Sequence, residues 1–186
     1  MKRLCDLALG LFAAILLLVP IAVVAMLVRL TSPGPALYWS DRVGRYNKIF
    51  KMPKFRSMRL GTPAIATHLL ADPKLALTPI GSFIRKTSLD ELPQLWSILL
   101  GDMSFVGPRP ALFNQQDLIE LRTQKNVHTL VPGLTGWAQV NGRDELPIPQ
   151  KVALDAEYLQ RLGFWFDIKI LWLTFLKVLQ RDGVSH

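Results

Sequence analysis

The sequence holds one cysteine, Cys5, in 186 residues. That excludes an intrachain disulfide and a thiolate-rich metal site, and it fits a reducing compartment. Histidine is almost as scarce. His68, His128 and His186 stand singly and read as solvated or locally bonded surface residues. Charge is thin as well, at 19% of residues, where soluble domains carry about a quarter. Acidic groups are the scarcer sign, with 14 Asp+Glu against 22 Lys+Arg, a formal charge of +8 and a pI near 9.9. No G-x-x-x-x-G-K-[ST], G-x-G-x-x-G or G-x-S-x-G occurs, which removes the P-loop, dinucleotide and α/β-hydrolase templates. Internal repeats and low-complexity tracts are absent.

Apolar residues are what the chain has in quantity. They make up 50% of it, and the mean hydropathy is +0.25. A disordered tail would be far poorer in them. A chain both apolar and basic points to a membrane with anionic lipid, to anionic substrates, or to both. Nucleic acid is not an expected partner, because the basic charge gathers beside a membrane segment. The length suits a single domain, 1–186, with a membrane helix at 1–30, a body at 31–162 and an amphipathic helix at 163–181.

From Leu7 to Val28 there are 22 residues without charge. As a straight helix they span roughly 33 Å, enough to cross a hydrocarbon core of about 30 Å. The run exceeds a signal-peptide core, and no A-x-A site follows it neatly. Pro20 lies inside it, removes a backbone hydrogen bond and favours a kink. Positive charge flanks both ends: Lys2 and Arg3 before it, Arg29 and the basic residues between 42 and 59 after it. The positive-inside rule asks both flanks to stay cytoplasmic. A helix broken at Pro20 that dips in and returns satisfies both; a spanning helix satisfies one. These features alone leave the two topologies open.

Thr31-Ser-Pro-Gly-Pro35 ends the membrane element. Residues 36–59 read as a hairpin around Val43-Gly44-Arg45, and 60–78 as an irregular loop. Helical patterns follow at 80–86, 91–100, 111–125 and 148–162. The Gly- and Pro-rich stretch 127–146 reads as loop with short strands. The expected class is mainly α with small β-hairpin elements, an α+β arrangement. Between Gly163 and Arg181, a helical wheel places Asp167, Lys169, Thr174, Lys177, Gln180 and Arg181 on one side. Phe164, Leu171, Trp172, Phe175, Leu176, Val178 and Leu179 mostly share the other. That pattern fits an interfacial helix lying in the membrane plane, and a core-facing surface helix has the same period.

Ser88-Leu-Asp90-Glu91-Leu-Pro93-Gln94 opens one helical pattern. Ser88 with Glu91 fits a capping box, or Asp90 is itself the N-cap. A carboxylate pair at a helix start has a second use. The dipole favours ionised Asp90 and a neighbouring phosphate, and two carboxylates suit Mg²⁺. Arg85, Arg109 between two prolines, and Arg143 in an Asn-Gly turn suit bidentate phosphate binding, with surface ion pairs as the alternative for each. Lys54 and Arg56 add cations next to the membrane segment; alone they read as anionic-lipid contacts, and with the arginines they are candidate substrate-phosphate contacts.

Four segments occur in order: Lys54-Phe-Arg-Ser-Met58, Thr87-Ser-Leu-Asp-Glu-Leu-Pro-Gln94, Gly101-Asp-Met-Ser-Phe-Val-Gly-Pro-Arg-Pro110 and Pro132-Gly-Leu-Thr-Gly-Trp-Ala-Gln-Val-Asn-Gly-Arg143. Together they resemble the bacterial sugar transferase family, the monotopic polyprenyl-phosphate phosphoglycosyl transferases, over nearly the whole chain. The length resembles the family's minimal catalytic unit, without the extra N-terminal membrane helices of its large members.

The resemblance implies transfer of a phospho-sugar from a UDP-sugar to polyprenyl phosphate, usually undecaprenyl phosphate, with release of UMP. It places the enzyme at the cytoplasmic face of the bacterial inner membrane, where such transfers begin glycan assembly. It implies that Asp90 is the nucleophile, that Glu91 and Asp90 serve a required Mg²⁺, and that Arg85, Arg109 and Arg143 contact phosphate. It also implies a re-entrant N-terminal helix broken at Pro20. Members often carry Ser before that proline, and here Val19 stands there, which removes a hydroxyl that can support the bend. A non-catalytic membrane adaptor or an anionic-lipid binder would share the apolar ends and the charge. Neither needs an Asp-Glu pair followed by Pro-Arg-Pro.

Overall fold

The structure, a computed structural model, describes residues 1–63, 72, 75–142 and 146–180. The uncharged N-terminal run folds as two helices, α1 (Lys2–Leu16) and α2 (Leu18–Thr31), bent by 61°. Pro20 has no N–H to give the carbonyl of Leu16, and its ring crowds that carbonyl. The break therefore falls at Leu17, earlier than the proline, and Pro20 sits in the first turn of α2, where no N–H is needed. Among the described residues no single helix is long and apolar enough to cross a membrane; the bent pair together is.

The expected hairpin forms from β1 (Leu37–Val43) and β2 (Ile49–Phe55), with Leu37 opposite Phe55 and Val43 opposite Ile49. Pro53 is tolerated because β2 is an edge strand of its three-stranded sheet, in which β1 is central. Strand β4 (Ala111–Leu112) pairs with Arg42 and Val43 of β1. This shortens the helix expected at 111–125 to α5 (Gln116–Gln124). Between lie α3 (Gly81–Lys86), α4 (Gln94–Leu100) and β3 (Ser104–Val106). The stretch expected as loop with short strands contains β5 (Gly133–Thr135), parallel to β3, and also a short helix, α6 (Trp137–Val140). Helices α7 (Ile148–Gln160) and α8 (Phe164–Gln180) close the fold. Most of the loop expected at 60–78 lies outside the described residues.

The bent pair is rooted in the body. Val24 and Val28 of α2 pack with Phe55 and Ile84, and Ala13, Leu17 and Ile21 pack against Met52, Leu95, Ile98 and Met103. A Cβ at Gly10 of α1 would come within 3.1 Å of Leu99 on α4, so the helices approach closely there. Polar groups fix both ends. Lys2 Nζ pairs with Asp167 at 2.6 Å, Arg3 donates to the carbonyls of Ile98 and Leu99, and buried Asp6 accepts from Ser104 Oγ at 3.0 Å and Phe105 N at 3.1 Å. At the other end Arg56 donates to the carbonyls of Ser32 and Pro33.

Helix α8 combines the two arrangements that its period allows. Phe166 and Ile170 are buried with Val106, Val140 and Tyr158. Trp165, Ile168, Trp172 and Phe175 stay exposed on another stripe. The wheel's polar side is not simply solvated. Asp167 binds Lys2 and Tyr158, and Thr174 shares a hydrogen bond of 2.7 Å with Thr135, because the body presents polar partners there.

Candidate active site

Asp90 and Glu91 lie in a 3₁₀ turn, Leu89–Glu91, between α3 and α4. The capping expectation fails. Ser88 sits in the left-handed region at φ 56°, and its side chain makes no capping hydrogen bond. Pro93, not Asp90, precedes the first turn of α4. A non-glycine residue in that region costs on the order of 1 kcal/mol, and here it links α3 to the turn that carries Asp90. The turn thereby tucks Asp90 inside, 9% exposed.

The two adjacent carboxylates have different surroundings. Glu91 Oε1 accepts from Lys54 Nζ at 3.0 Å and from Arg109 Nη2 at 3.1 Å. Burial opposes its charge, but Lys54 and Arg109 outweigh burial and hold the carboxyl well below the usual carboxylate range. No hydrogen bond reaches the Asp90 carboxylate among the described residues, although Lys54, Arg85 and Arg109 act on it electrostatically. Burial is the largest influence and raises its pKa, reinforced by Glu91 and opposed by those three cations. Desolvation, not a helix dipole, therefore sets the direction of the shift.

Each cation comes from a different element. Lys54 is on β2, opposite Tyr38 of β1; Arg85 is on α3; Arg109 is in the Gly107-Pro-Arg-Pro110 loop after β3. Glycines seat that loop on the segment holding β5. A Cβ on Gly133 would lie 2.1 Å from Gly107 N, and one on Gly136 would lie 2.1 Å from Gly107 O. Two of the recognised segments are therefore locked backbone to backbone. Arg56, expected at phosphate, is placed elsewhere: it is 5% exposed and its guanidinium serves the carbonyls after α2. Arg143 lies outside the described residues.

A bacterial sugar transferase family model matches residues 1–181. The chain belongs to the bacterial sugar transferase family. Its relatives in this family include the uncharacterized sugar transferase EpsL of Bacillus subtilis, 41% identical over 188 residues, covering 100% of this chain and 91% of that protein. The UDP-glucose:undecaprenyl-phosphate glucose-1-phosphate transferase of Escherichia coli is 39% identical, covering 95% of this chain and 40% of that protein. The undecaprenyl-phosphate galactose phosphotransferase of Salmonella typhimurium is 41% identical, covering 81% of this chain and 34% of that protein. The chain thus spans well under half the length of these last two sugar transferases.

Two charged residues next to the site escape a motif-based reading. Arg122 on α5 and Asp155 on α7 form a buried pair, with Arg122 Nη2 2.6 Å from Asp155 Oδ2. The available signal is periodic. Arg122 follows buried Leu118 by one helical turn, and Asp155 falls between buried Val152 and Tyr158, so each helix places a charge of opposite sign on its apolar stripe.

Among the described residues no group of three or more His, Cys, Asp or Glu could hold a metal. By donor type, Asp90 and Glu91 are the residues here that could serve a hard cation that takes most of its ligands from phosphate and water.

Proposed function

We propose that this chain transfers a phospho-sugar from a UDP-sugar to undecaprenyl phosphate, releasing UMP. The observation that carries the reading is a buried Asp90 carboxylate that takes no hydrogen bond among the described residues and lies in the field of Lys54, Arg85 and Arg109. The names of the full-length relatives support the reaction class, and they point to UDP-glucose or UDP-galactose as first donors to try.

Asp90 attacks the sugar-bearing phosphorus. A bond forms from its carboxylate oxygen to that phosphorus, the bridging P–O bond breaks, and UMP leaves with the electron pair. An oxygen of the lipid phosphate then attacks the same phosphorus and expels the Asp90 carboxylate. One difficult transfer becomes two easier ones. The raised pKa makes Asp90 a better nucleophile once ionised, while Arg85 and Arg109 offset repulsion from the pyrophosphate. Glu91 holds Lys54 and Arg109 together in front of it. Asp90 and Glu91 would hold Mg²⁺, which supplies further neutralisation of phosphate charge when bound.

The lipid acceptor requires the site to lie at headgroup level, and the nucleotide-sugar donor puts it on the cytoplasmic face of the inner membrane. A re-entrant α1–α2 pair would suit this: Lys2, Arg3 and Asp6 hold one end to the body, and Arg56 of the body holds the carbonyl of Ser32 at the other end. Trp165, Trp172 and Phe175 of α8 would lie in the interface. Pro20→Leu should straighten the pair and expose a cysteine placed at position 2, in a Cys5→Ser background, to an impermeant reagent from the periplasm. Retained protection would show that the polar anchors, not the proline, set the topology.

The decisive test is incubation of detergent-solubilised protein with UDP-sugar and Mg²⁺ but no lipid. Up to one UMP per enzyme should appear, with the sugar phosphate as added mass on the Asp90 peptide. Turnover with lipid but without burst or adduct would favour direct attack by the lipid phosphate.

A further inference from the structure

The Pro108-Arg109-Pro110 stretch is held in shape from outside. Both prolines lack an N–H, so Arg109 has the one backbone donor, and each of the three carbonyls accepts a bond from a different element. Gly133 N donates to Pro108 O at 2.9 Å, Arg122 Nη1 to Arg109 O at 2.8 Å, and Arg42 Nη1 to Pro110 O at 3.2 Å. Arg122 is 8% exposed and Asp155 1%. Its other nitrogens, Nε and Nη2, both donate to Asp155 Oδ2, at 3.0 and 2.6 Å. Asp155 therefore fixes the plane of the guanidinium, and Nη1 is the edge left to face Arg109. A cleft lined by Pro108, Ile119, Arg122 and His128 runs alongside the loop, so apolar packing on that side is incomplete.

We propose that Arg122 and Asp155 are positioning residues for the transfer: they clamp the Arg109 carbonyl and so aim the Arg109 guanidinium at Glu91 and the substrate pyrophosphate. The proposal rests on the reading of Arg109 as a phosphate contact. A buried ion pair is a poor device for stability, since well-packed apolar residues do as well or better. What an apolar pair lacks is a donor for the Arg109 carbonyl. A shift of about 1 Å in a group that orients a reacting phosphate lowers rate by one to two orders of magnitude.

The test is a double-mutant cycle on the full chain, reading kcat/KM for a UDP-sugar that the wild type uses, with lipid acceptor and Mg²⁺ saturating. Asp155→Asn should lower kcat/KM by about tenfold in the wild-type background and by less than about twofold in an Arg109→Ala background. A role in folding alone would give the same factor in both. Arg122→Met combined with Asp155→Leu fills the space without charge and carries the test if Asp155→Asn does not fold. It should keep its thermal midpoint and still lose about tenfold in kcat/KM. Equal losses in the two backgrounds, or a fully active apolar pair, would overturn the clamp. Wild-type activity in Arg109→Ala alone would instead overturn the underlying role of Arg109, and the clamp with it.

Discussion

Asp90 and Asp155 are both aspartates taken out of water, and burial raises the pKa of both. The guanidinium of Arg122 donates twice to one oxygen of Asp155. Asp90 has three cations within electrostatic reach, yet no hydrogen bond to its carboxylate among the described residues. On the proposed mechanism, the difference separates a strut from a reactive group. A carboxylate whose lone pairs are engaged orders its neighbours, and one surrounded by charge but uncapped keeps its oxygens for bond formation.

The largest expected effect tests that separation directly. Asp90→Asn should lower UMP release by more than about a thousandfold, as expected for loss of a covalent nucleophile. Its thermal midpoint at neutral pH should equal or exceed that of the wild type. The folded-state pKa of Asp90 lies above its unfolded value, so the ionised group disfavours the fold at neutral pH. That penalty is released as pH falls through the raised value. Asp155→Asn should act on chemistry far less, by about tenfold, because it loosens the hold of Arg122 on the Arg109 carbonyl and leaves the Asp90 oxygens untouched. A reactive Asp90→Asn, or a stable Asp155→Asn with full activity, would erase the contrast.

Next in size is Glu91→Gln. It removes the charge that gathers Lys54 and Arg109, and turnover should fall by roughly 10–100-fold without loss of fold. Addition of the same substitution to Asp90→Asn should change nothing further in adduct formation, which mass spectrometry would check.

A smaller effect concerns pH. Asp90 must be ionised to attack, so the single-turnover rate of adduct formation should fall with acid, with a midpoint above the ordinary aspartate value of 3.8. Glu91, held low, should stay ionised across that range. An acid limb at or below the ordinary value would mean that burial does not tune the nucleophile.

The smallest effect on chemistry should come from the exposed stripe of α8. Trp172→Glu should weaken partitioning onto vesicles of phosphatidylglycerol and phosphatidylethanolamine, while soluble adduct formation at Asp90 stays within about twofold. Cosedimentation and circular dichroism would check it; loss of the fold would show that Trp172, and not only Phe166 and Ile170, supports the core.

Local features were legible from the chain. An uncharged run with one proline gives a bent helix pair, since a missing N–H acts on the turn before it wherever it occurs. The hairpin followed from apolar and aromatic residues around a glycine turn, and the acidic pair was found through its segment. Less legible were features set by a neighbour. The capping box was a sound local pattern, yet Ser88 takes a left-handed conformation that no local rule requires. The helix at 111–125 lost its start because Ala111 and Leu112 pair with β1.

The four ordered segments determined the family, because they are residue types at fixed spacing, and the resemblance they carry named the candidate nucleophile. The tertiary structure alone decided which of the candidate cations gather at the acidic pair. Lys54 and Arg109 meet on Glu91 from 37 and 18 residues away, and Arg56, two residues beyond Lys54, is turned to the end of α2. Strand alternation alone would keep residues two apart on one face, but β2 ends at Phe55, and only the packing around the exit turns Arg56 to backbone carbonyls while Lys54 stays on Glu91. The same holds for Arg122 and Asp155, whose pairing across 33 residues is a property of how α5 and α7 cross, not of either helix.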